Sequence, residues 1–81
     1  MTRLQEIRRL KGMTQRELAD ASGVSLRMVQ HYERGEFRFE NVGVLVLLKF
    51  SNVLDVPLSS LLDGEAQAEA VLYDRRRKSG H

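Results

Sequence analysis

The chain of 81 residues contains no cysteine, no tryptophan and a single proline. Without cysteine it has no disulfide scaffold, no cysteine-ligated zinc finger and no thiol nucleophile, a composition that fits a reducing cytosol. Its two histidines, His31 and His81, are far apart in the sequence, so we expect no metal and no cofactor. The longest apolar run, residues 42–48, is much shorter than the roughly 20 residues of a membrane span. The N-terminal residues lack the apolar stretch of a secretory signal, so we expect a cytoplasmic protein with no membrane partner.

The composition is that of one small globular domain. The hydrophobic fraction is 42% and the charged fraction 30%, which is too apolar for a disordered chain. The net charge is +2, and most of the cations are arginine, whose forked side chain suits phosphates and base edges. Such mild basicity favours a nucleic-acid partner only weakly.

The capping residues and helix-ending glycines of the sequence predict helices throughout. Thr2 caps a first helix over about residues 3–11, and Thr14 with Glu17 forms a capping box for a short second helix that Gly23 ends. Ser25 caps a third helix over residues 26–33, and Asn41 caps a fourth that continues to Leu54. A short helix then follows Pro57, and residues 65–76 form a last helix that either docks or projects.

One segment could also be a strand, because residues 42–46 are rich in β-branched side chains. We reject the strand, because apolar residues occupy odd and even positions alike, and because their helical spacing continues to Leu54. The buried side of this fourth helix is expected to comprise Val44, Leu47, Leu48, Ser51 and Leu54. The sequence therefore predicts an all-α fold: a compact bundle of about five helices with an extra C-terminal helix.

The second and third helices are joined by a turn of about four residues, residues 21–24, which is the geometry of a helix-turn-helix. Ala19 is small where the two helices must approach closely, and Gly23 stands where the turn needs a positive φ angle. Val29 and Tyr32 share the core side of the third helix. With the capping box in front, the whole set is a fairly specific signal.

The segment from Thr14 to Ser25, followed by Val29 and by residues 32–35, resembles the lambda-repressor/Cro-type helix-turn-helix family, also called XRE-like regulators. Residues 48–62 resemble the last two helices of that family. The resemblance covers about residues 3–63 and implies a bundle that binds operator DNA as a homodimer, with the third helix in the major groove. We expect residues 1–64 to form the DNA-binding domain and residues 65–81 a C-terminal helix with a basic tail.

A helix that enters a groove by its N-terminus presents its first turns to the bases, and the resemblance implies the same positions. The candidate base contacts are Ser25, Leu26, Arg27, Gln30 and His31. The candidate phosphate contacts flank them at the helix starts and in the following loop, and are Thr14, Gln15, Arg34, Arg38 and Asn41. The alternative is that these side chains form a solvated face. The resemblance also implies a structural ion pair between Arg8 in the first helix and Glu33 at the end of the third.

Two features after the helix-turn-helix leave alternatives open. The fourth helix has more apolar residues than one buried face needs, which marks a candidate dimer interface, unless the last helix covers them: Val42, Leu45, Val46 and Val53. The four cations of residues 75–78 either contact phosphates or touch nothing.

The leading hypothesis is a sequence-specific transcriptional repressor, bacterial or phage-encoded, that binds double-stranded DNA at a palindromic operator and is not an enzyme. The first alternative is an antitoxin that represses its own operon and binds a toxin as protein partner through its C-terminal segment. The second is a protein-recruiting module on the same fold. A hydrolase triad of Asp20, Ser22 and His31 is rejected, because two of its members lie around the tight turn and the sequence indicates no oxyanion hole.

Overall fold

In a computed structural model of the chain, the described residues form an all-α bundle without strands. The structure describes residues 2–36, 41–62 and 64–79, and of residues 41, 42, 64–66 and 77–79 only the backbone. The helices are α1 (Arg3–Leu10), α2 (Gln15–Ser22), α3 (Leu26–Glu33), α4 (Asn41–Leu54) and α5 (Gly64–Ser79), with a 3-10 turn at Leu58–Leu61 between the last two. Across these described ranges no helix is long and apolar enough to cross a membrane.

The first three helices and the helical nature of residues 42–46 confirm the sequence-based expectations. Three features differ. Asn41 is the first residue of α4 and not the cap before it, and the segment after Pro57 is a 3-10 turn. The last helix continues to Ser79, beyond the predicted end near residue 76, because the arginines of this segment are good helix formers.

Side-chain caps explain where the first three helices begin. Thr2 Oγ1 accepts a hydrogen bond of 3.3 Å from the backbone N–H of Gln5, and Ser25 Oγ accepts one of 3.2 Å from Met28. At α2 the predicted capping box is complete. Glu17 N–H donates to Thr14 Oγ1 at 3.0 Å, and Thr14 N–H donates to Glu17 Oε1 at 2.9 Å, so both orphan donors are satisfied.

One core joins all the elements. Its buried apolar side chains are Leu4, Leu18, Ala19, Val29, Tyr32, Leu47, Phe50, Leu54, Leu58, Leu61, Leu62 and Ala70. The expected buried side of α4 is present in part: Leu47, Ser51 and Leu54 are buried, while Val44 and Leu48 are partly buried. Sequence reasoning missed Phe50, which is fully buried. Its ring meets that of Tyr32 edge to face, with centroids 5.7 Å apart, and so fixes α4 against α3.

The last helix docks onto the bundle, which decides between the two alternatives for this segment. Ala70 on α5 is fully buried. The two carboxylate oxygens of Asp74 accept hydrogen bonds from the backbone N–H groups of Leu58 (3.2 Å) and Ser59 (3.1 Å). Asp74 therefore caps the 3-10 turn from fifteen residues away along the chain, and α5 packs chiefly against that turn.

Candidate nucleic-acid interface

The turn between α2 and α3 is built as a helix-turn-helix requires. Gly23 ends α2 with φ 74°, a left-handed conformation that glycine adopts without steric cost. Its neighbour Val24 donates its N–H to the carbonyl of Ala19 at 3.2 Å, and Ala19 is buried. Ser22 Oγ donates to the carbonyl of Leu18 at 2.7 Å. The hydroxyl that a hydrolase triad would use is thus bonded to the backbone of its own helix.

A buried network fixes α3 against α1 and α2. Arg8 and Glu33 are 7% and 5% exposed, and Arg8 Nε donates to Glu33 Oε2 at 2.5 Å while Nη2 donates to Oε1 at 3.1 Å. Arg8 Nη1 also reaches the carbonyl of Met13 at 2.8 Å. Gln15 Nε2 donates to Glu33 Oε1 at 3.1 Å. The Glu33 carboxylate at the end of α3 is thereby tied to α1 through Arg8 and to the start of α2 through Gln15.

The first turn of α3 places three candidate base contacts differently. Arg27 is exposed to solvent. Ser25 is exposed but its hydroxyl oxygen accepts the capping bond from Met28, which leaves its proton as a donor. Leu26, which we expected to point away from the core, is partly buried and packs against it. Arg27 is consequently the best-placed side chain of this turn for a base edge.

The two glutamines of the candidate site are neighbours. Gln30 Nε2 lies 3.5 Å from Gln15 Oε1, so a candidate base contact on α3 and a candidate phosphate contact at the start of α2 are side by side. The Gln15 amide has two N–H donors, and one of them is directed to Glu33.

Glu36, which sequence reasoning missed, draws two of the candidate contacts together just after α3. Arg34 Nε donates to Glu36 Oε1 at 2.9 Å, and His31 Nδ1 lies 3.5 Å from Glu36 Oε2. All three side chains remain partly open to solvent, between 41% and 59% exposed. The Glu36 carboxylate thus lies between the side chains of Arg34 and His31. Its signal in the sequence is an acid five residues after His31, in a loop whose course sequence alone does not give.

The remaining phosphate candidates lie at or beyond the limits of the described chain. Thr14 is exposed at the start of α2 and engaged in the capping box. Arg38 lies outside the described residues, and Asn41 is described only as the backbone position that begins α4.

The candidate dimer residues on α4 are unequally exposed. Leu45 is 61% exposed, so α5 does not cover it. Val46 and Val53 are partly buried and pack against the core of their own chain, and the side chain of Val42 lies outside the described residues. Leu45 is thus the one strongly exposed residue among those of this set that the structure describes.

Two pKa values depart from their usual range near this surface. The pKa of the Glu17 carboxyl is lowered, first by the hydrogen bond from the backbone of Thr14 and second by its side chain, because these bonds favour the charged form. Burial raises the pKa of the Tyr32 phenol, so Tyr32 stays neutral in the core.

Comparison with known proteins agrees with this geometry. The family model of helix-turn-helix proteins matches residues 4–61. The chain belongs to the lambda-repressor-type helix-turn-helix family. An uncharacterized HTH-type transcriptional regulator of Bacillus subtilis (strain 168), YqaE, is 35% identical over 75 residues, which are 93% of this chain and 61% of that protein. The chain therefore spans less than two thirds of this relative's length. No solved structure matches the chain significantly.

The family match covers α1 to the 3-10 turn and stops before α5. This helix-turn-helix chain therefore carries the DNA-binding elements of the family together with a docked C-terminal helix outside the matched range.

Proposed function

We propose that this helix-turn-helix protein is a sequence-specific DNA-binding transcription regulator that inserts α3 into the major groove. The observation that carries the proposal is the exposed Arg27 in the first turn of α3, on a helix that the buried Arg8–Glu33 pair holds in place. A guanidinium at this position can donate two hydrogen bonds to O6 and N7 of a guanine. Rigid support for α3 matters because discrimination between bases depends on fixed donor positions.

The phosphate contacts are proposed to flank the groove. Gln15 is the first residue of α2, where the positive end of the helix dipole favours an anion. Arg34 lies at the other end of α3, and a phosphate that replaces the Glu36 carboxylate would bind there. These contacts set the position of the protein on the duplex without reading its sequence.

We further propose that the protein binds as a homodimer to a palindromic operator and thereby represses the adjacent gene. In a dimer, two copies of α3 meet two half-sites about one helical turn apart. Because each copy of α3 contacts one half-site, the dimer makes twice as many base contacts as a monomer, which raises its selectivity for the operator over random DNA.

Selection of bound duplexes from random DNA tests this function directly. We expect enrichment of one inverted-repeat sequence, affinity for it that falls steeply with salt, and repression of a reporter gene when the selected sequence is placed in its promoter. Binding that is absent, or that shows no sequence preference and no salt dependence, would instead favour a protein-recruiting module on the same fold.

A further inference from the structure

The backbone at the end of α3 brings Glu36 back onto the helix. Gly35 has φ 77°, and its N–H donates to the carbonyl of Tyr32 at 3.0 Å, while the N–H of Glu36 donates to the carbonyl of His31 at 3.3 Å. These two bonds are those of a Schellman motif, in which the side chains at the positions of Glu36 and His31 commonly make an apolar contact. Here a carboxylate and an imidazole take those positions, so their contact is set by the fold of the backbone.

The carboxylate faces one particular nitrogen of the imidazole. His31 Nδ1 lies 3.5 Å from Glu36 Oε2, and the other carboxylate oxygen accepts a hydrogen bond of 2.9 Å from Arg34 Nε. The ring of His31 also meets that of Tyr32 edge to face, with centroids 5.9 Å apart. An ionised carboxylate is an acceptor only, so it favours a proton on the nitrogen that faces it. In a neutral imidazole with its proton on Nδ1, the second nitrogen, Nε2, is an acceptor.

We propose that Glu36 is a positioning residue for base recognition, which holds the proton of His31 on Nδ1 so that Nε2 accepts a hydrogen bond from a base in the major groove. The inference rests on the proposed function, because it requires α3 to lie in that groove. The backbone motif makes it independent of Arg34, since the carboxylate stays beside His31 when the guanidinium turns to a phosphate.

An acceptor on α3 distinguishes two classes of base. In the major groove adenine and cytosine present an amino group, which donates, whereas guanine and thymine present acceptors. Nε2 of His31 therefore selects an amino-bearing base, adenine or cytosine, at the position that it faces. A histidine with its proton on Nε2 would select the opposite class, so Glu36 determines which class is read without touching DNA itself.

Nitrogen NMR of the imidazole tests the positioning without DNA. At mildly alkaline pH histidine imidazoles are neutral, and the nitrogen chemical shifts distinguish a protonated ring nitrogen from one with a lone pair. We expect the proton on Nδ1 of His31 in the parent and its partial transfer to Nε2 in Glu36→Ala. Glu6→Ala, which removes the acid of the exposed pair with Arg3, is the control and should leave the proton in place. His31→Ala identifies the signals of this residue against those of His81.

Selection from random DNA at the same pH tests the reading. We expect the parent to select adenine or cytosine at one position, and His31→Ala to lose that preference. Glu36→Ala should reduce the ratio of affinities for the selected duplex and for one with guanine or thymine at that position by about two- to tenfold, the effect of one hydrogen bond. This ratio is the readout because loss of a negative charge raises both affinities alike. Glu36→Asp, which keeps the carboxylate, should restore part of the ratio.

The double variant establishes that Glu36 acts through His31. In a His31→Ala background, Glu36→Ala should not change the ratio further, since both residues serve one hydrogen bond. Unfolding curves of every variant establish that the bundle is intact.

Three results would overturn the proposal: a parent with the proton on Nε2, guanine or thymine at the position that depends on His31, or an unchanged ratio in Glu36→Ala. A parent that selects no sequence would refute the proposed function itself. A proton on Nδ1 in that protein would then show that the contact of Glu36 with His31 is correct and that the assignment of α3 to the groove is wrong.

Discussion

The side-chain amide of Gln15 donates a hydrogen bond to Oε1 of Glu33, the same oxygen that accepts Nη2 of Arg8. A residue at the surface of α2 is thereby connected to the buried ion pair that holds α3. Because Gln30 also lies beside Gln15, the start of α2, the middle of α3 and the core share one hydrogen-bonded network. Stability of the fold and position of the reading helix therefore depend on the same side chains.

Removal of Arg8 should destabilise the protein severely. Arg8→Ala leaves the buried carboxylate of Glu33 without its guanidinium partner, which costs about 3 kcal/mol of unfolding free energy. Replacement of both partners by apolar residues, Arg8→Met with Glu33→Leu, should cost less than either single change. Arg3→Ala is the matched control, because its pair with Glu6 has a similar separation of 2.9 Å but is about 40% exposed. Denaturant unfolding measures all of these, and equal losses for Arg8→Ala and Arg3→Ala would contradict the prediction.

Base reading should depend on Arg27. Arg27→Ala is expected to lose about 1–3 kcal/mol of binding free energy on the selected operator and to relax preference at one base pair. Arg27→Lys keeps the charge but loses the fork, so it should relax the preference with a smaller loss of affinity. Gln15→Ala should weaken all sequences alike. A folded Arg27→Ala protein that selects the same operator with unchanged affinity would refute the assignment.

Loss of the Glu36 carboxylate should strengthen DNA binding. In Glu36→Gln, Arg34 and His31 no longer face a charged internal partner, and one repulsive charge is removed from the phosphate-facing end of α3. We expect several-fold tighter binding and a salt slope steeper by up to about one unit, the contribution of one additional phosphate contact. Glu6→Gln removes the same charge from the exposed Arg3 pair on α1 and serves as the control. An equal gain in both variants would mean that Glu36 acts only through net charge.

Two positions in the left-handed region should respond to substitution with opposite signs. Gly23 has φ 74° and open space around its missing Cβ, so Gly23→Ala should cost about 1 kcal/mol through backbone strain alone. Asp55, which follows α4, has φ 56°. Asp55→Gly should therefore stabilise the chain, because glycine relieves this strain in the folded state. The gain is expected to be slight, because glycine also raises the entropy of the unfolded chain, which opposes folding. Unfolding midpoints that shift in the same direction for both variants would be inconsistent with this explanation.

The capping box of α2 should make stability sensitive to acid. Because the pKa of Glu17 is lowered in the folded protein, its contribution is present above the pKa of the unfolded chain and is lost as the pH falls through the folded value. Glu17→Gln keeps an acceptor for the Thr14 N–H but does not titrate, so its stability should change less between neutral and acidic pH. Thr14→Ala should lower stability by about 1 kcal/mol through loss of the cap and should weaken the acid dependence without abolishing it, since the backbone bond to Glu17 remains while the side-chain contribution is lost. A Glu17→Gln protein with the acid dependence of the parent would contradict this origin.

Local signals explain which parts of the fold were predictable from sequence. The capping box at Thr14 and the glycine at the turn are short-range patterns, and they placed α2 and α3 within a residue. The burial of Phe50 was not predicted, because the buried side of α4 depends on which neighbours surround the helix, here the ring of Tyr32. The capping role of Asp74 was not predicted for the same reason, because its partners are backbone N–H groups fifteen and sixteen residues away along the chain.

In the candidate site, too, the features set by local sequence patterns were predictable and those set by distant contacts were not. Arg27 follows from its place in the first turn of a capped helix. Leu26 was predicted to contact bases, yet it packs partly against the core, since the end of a short helix has core on more than one side. The contact of Glu36 with His31 and Arg34 arises from the course of the chain after α3, and no periodicity encodes that course.

The hydrogen bonds of Asp74 determine how short a functional fragment can be. The family match ends at residue 61, which suggests that the domain could be expressed without α5. Such a fragment would lose the carboxylate that satisfies the N–H groups of Leu58 and Ser59, and it would uncover the apolar residues against which Ala70 packs. The shortest soluble fragment is therefore expected to extend through Asp74, and a protease that cuts before that residue should release a product that aggregates.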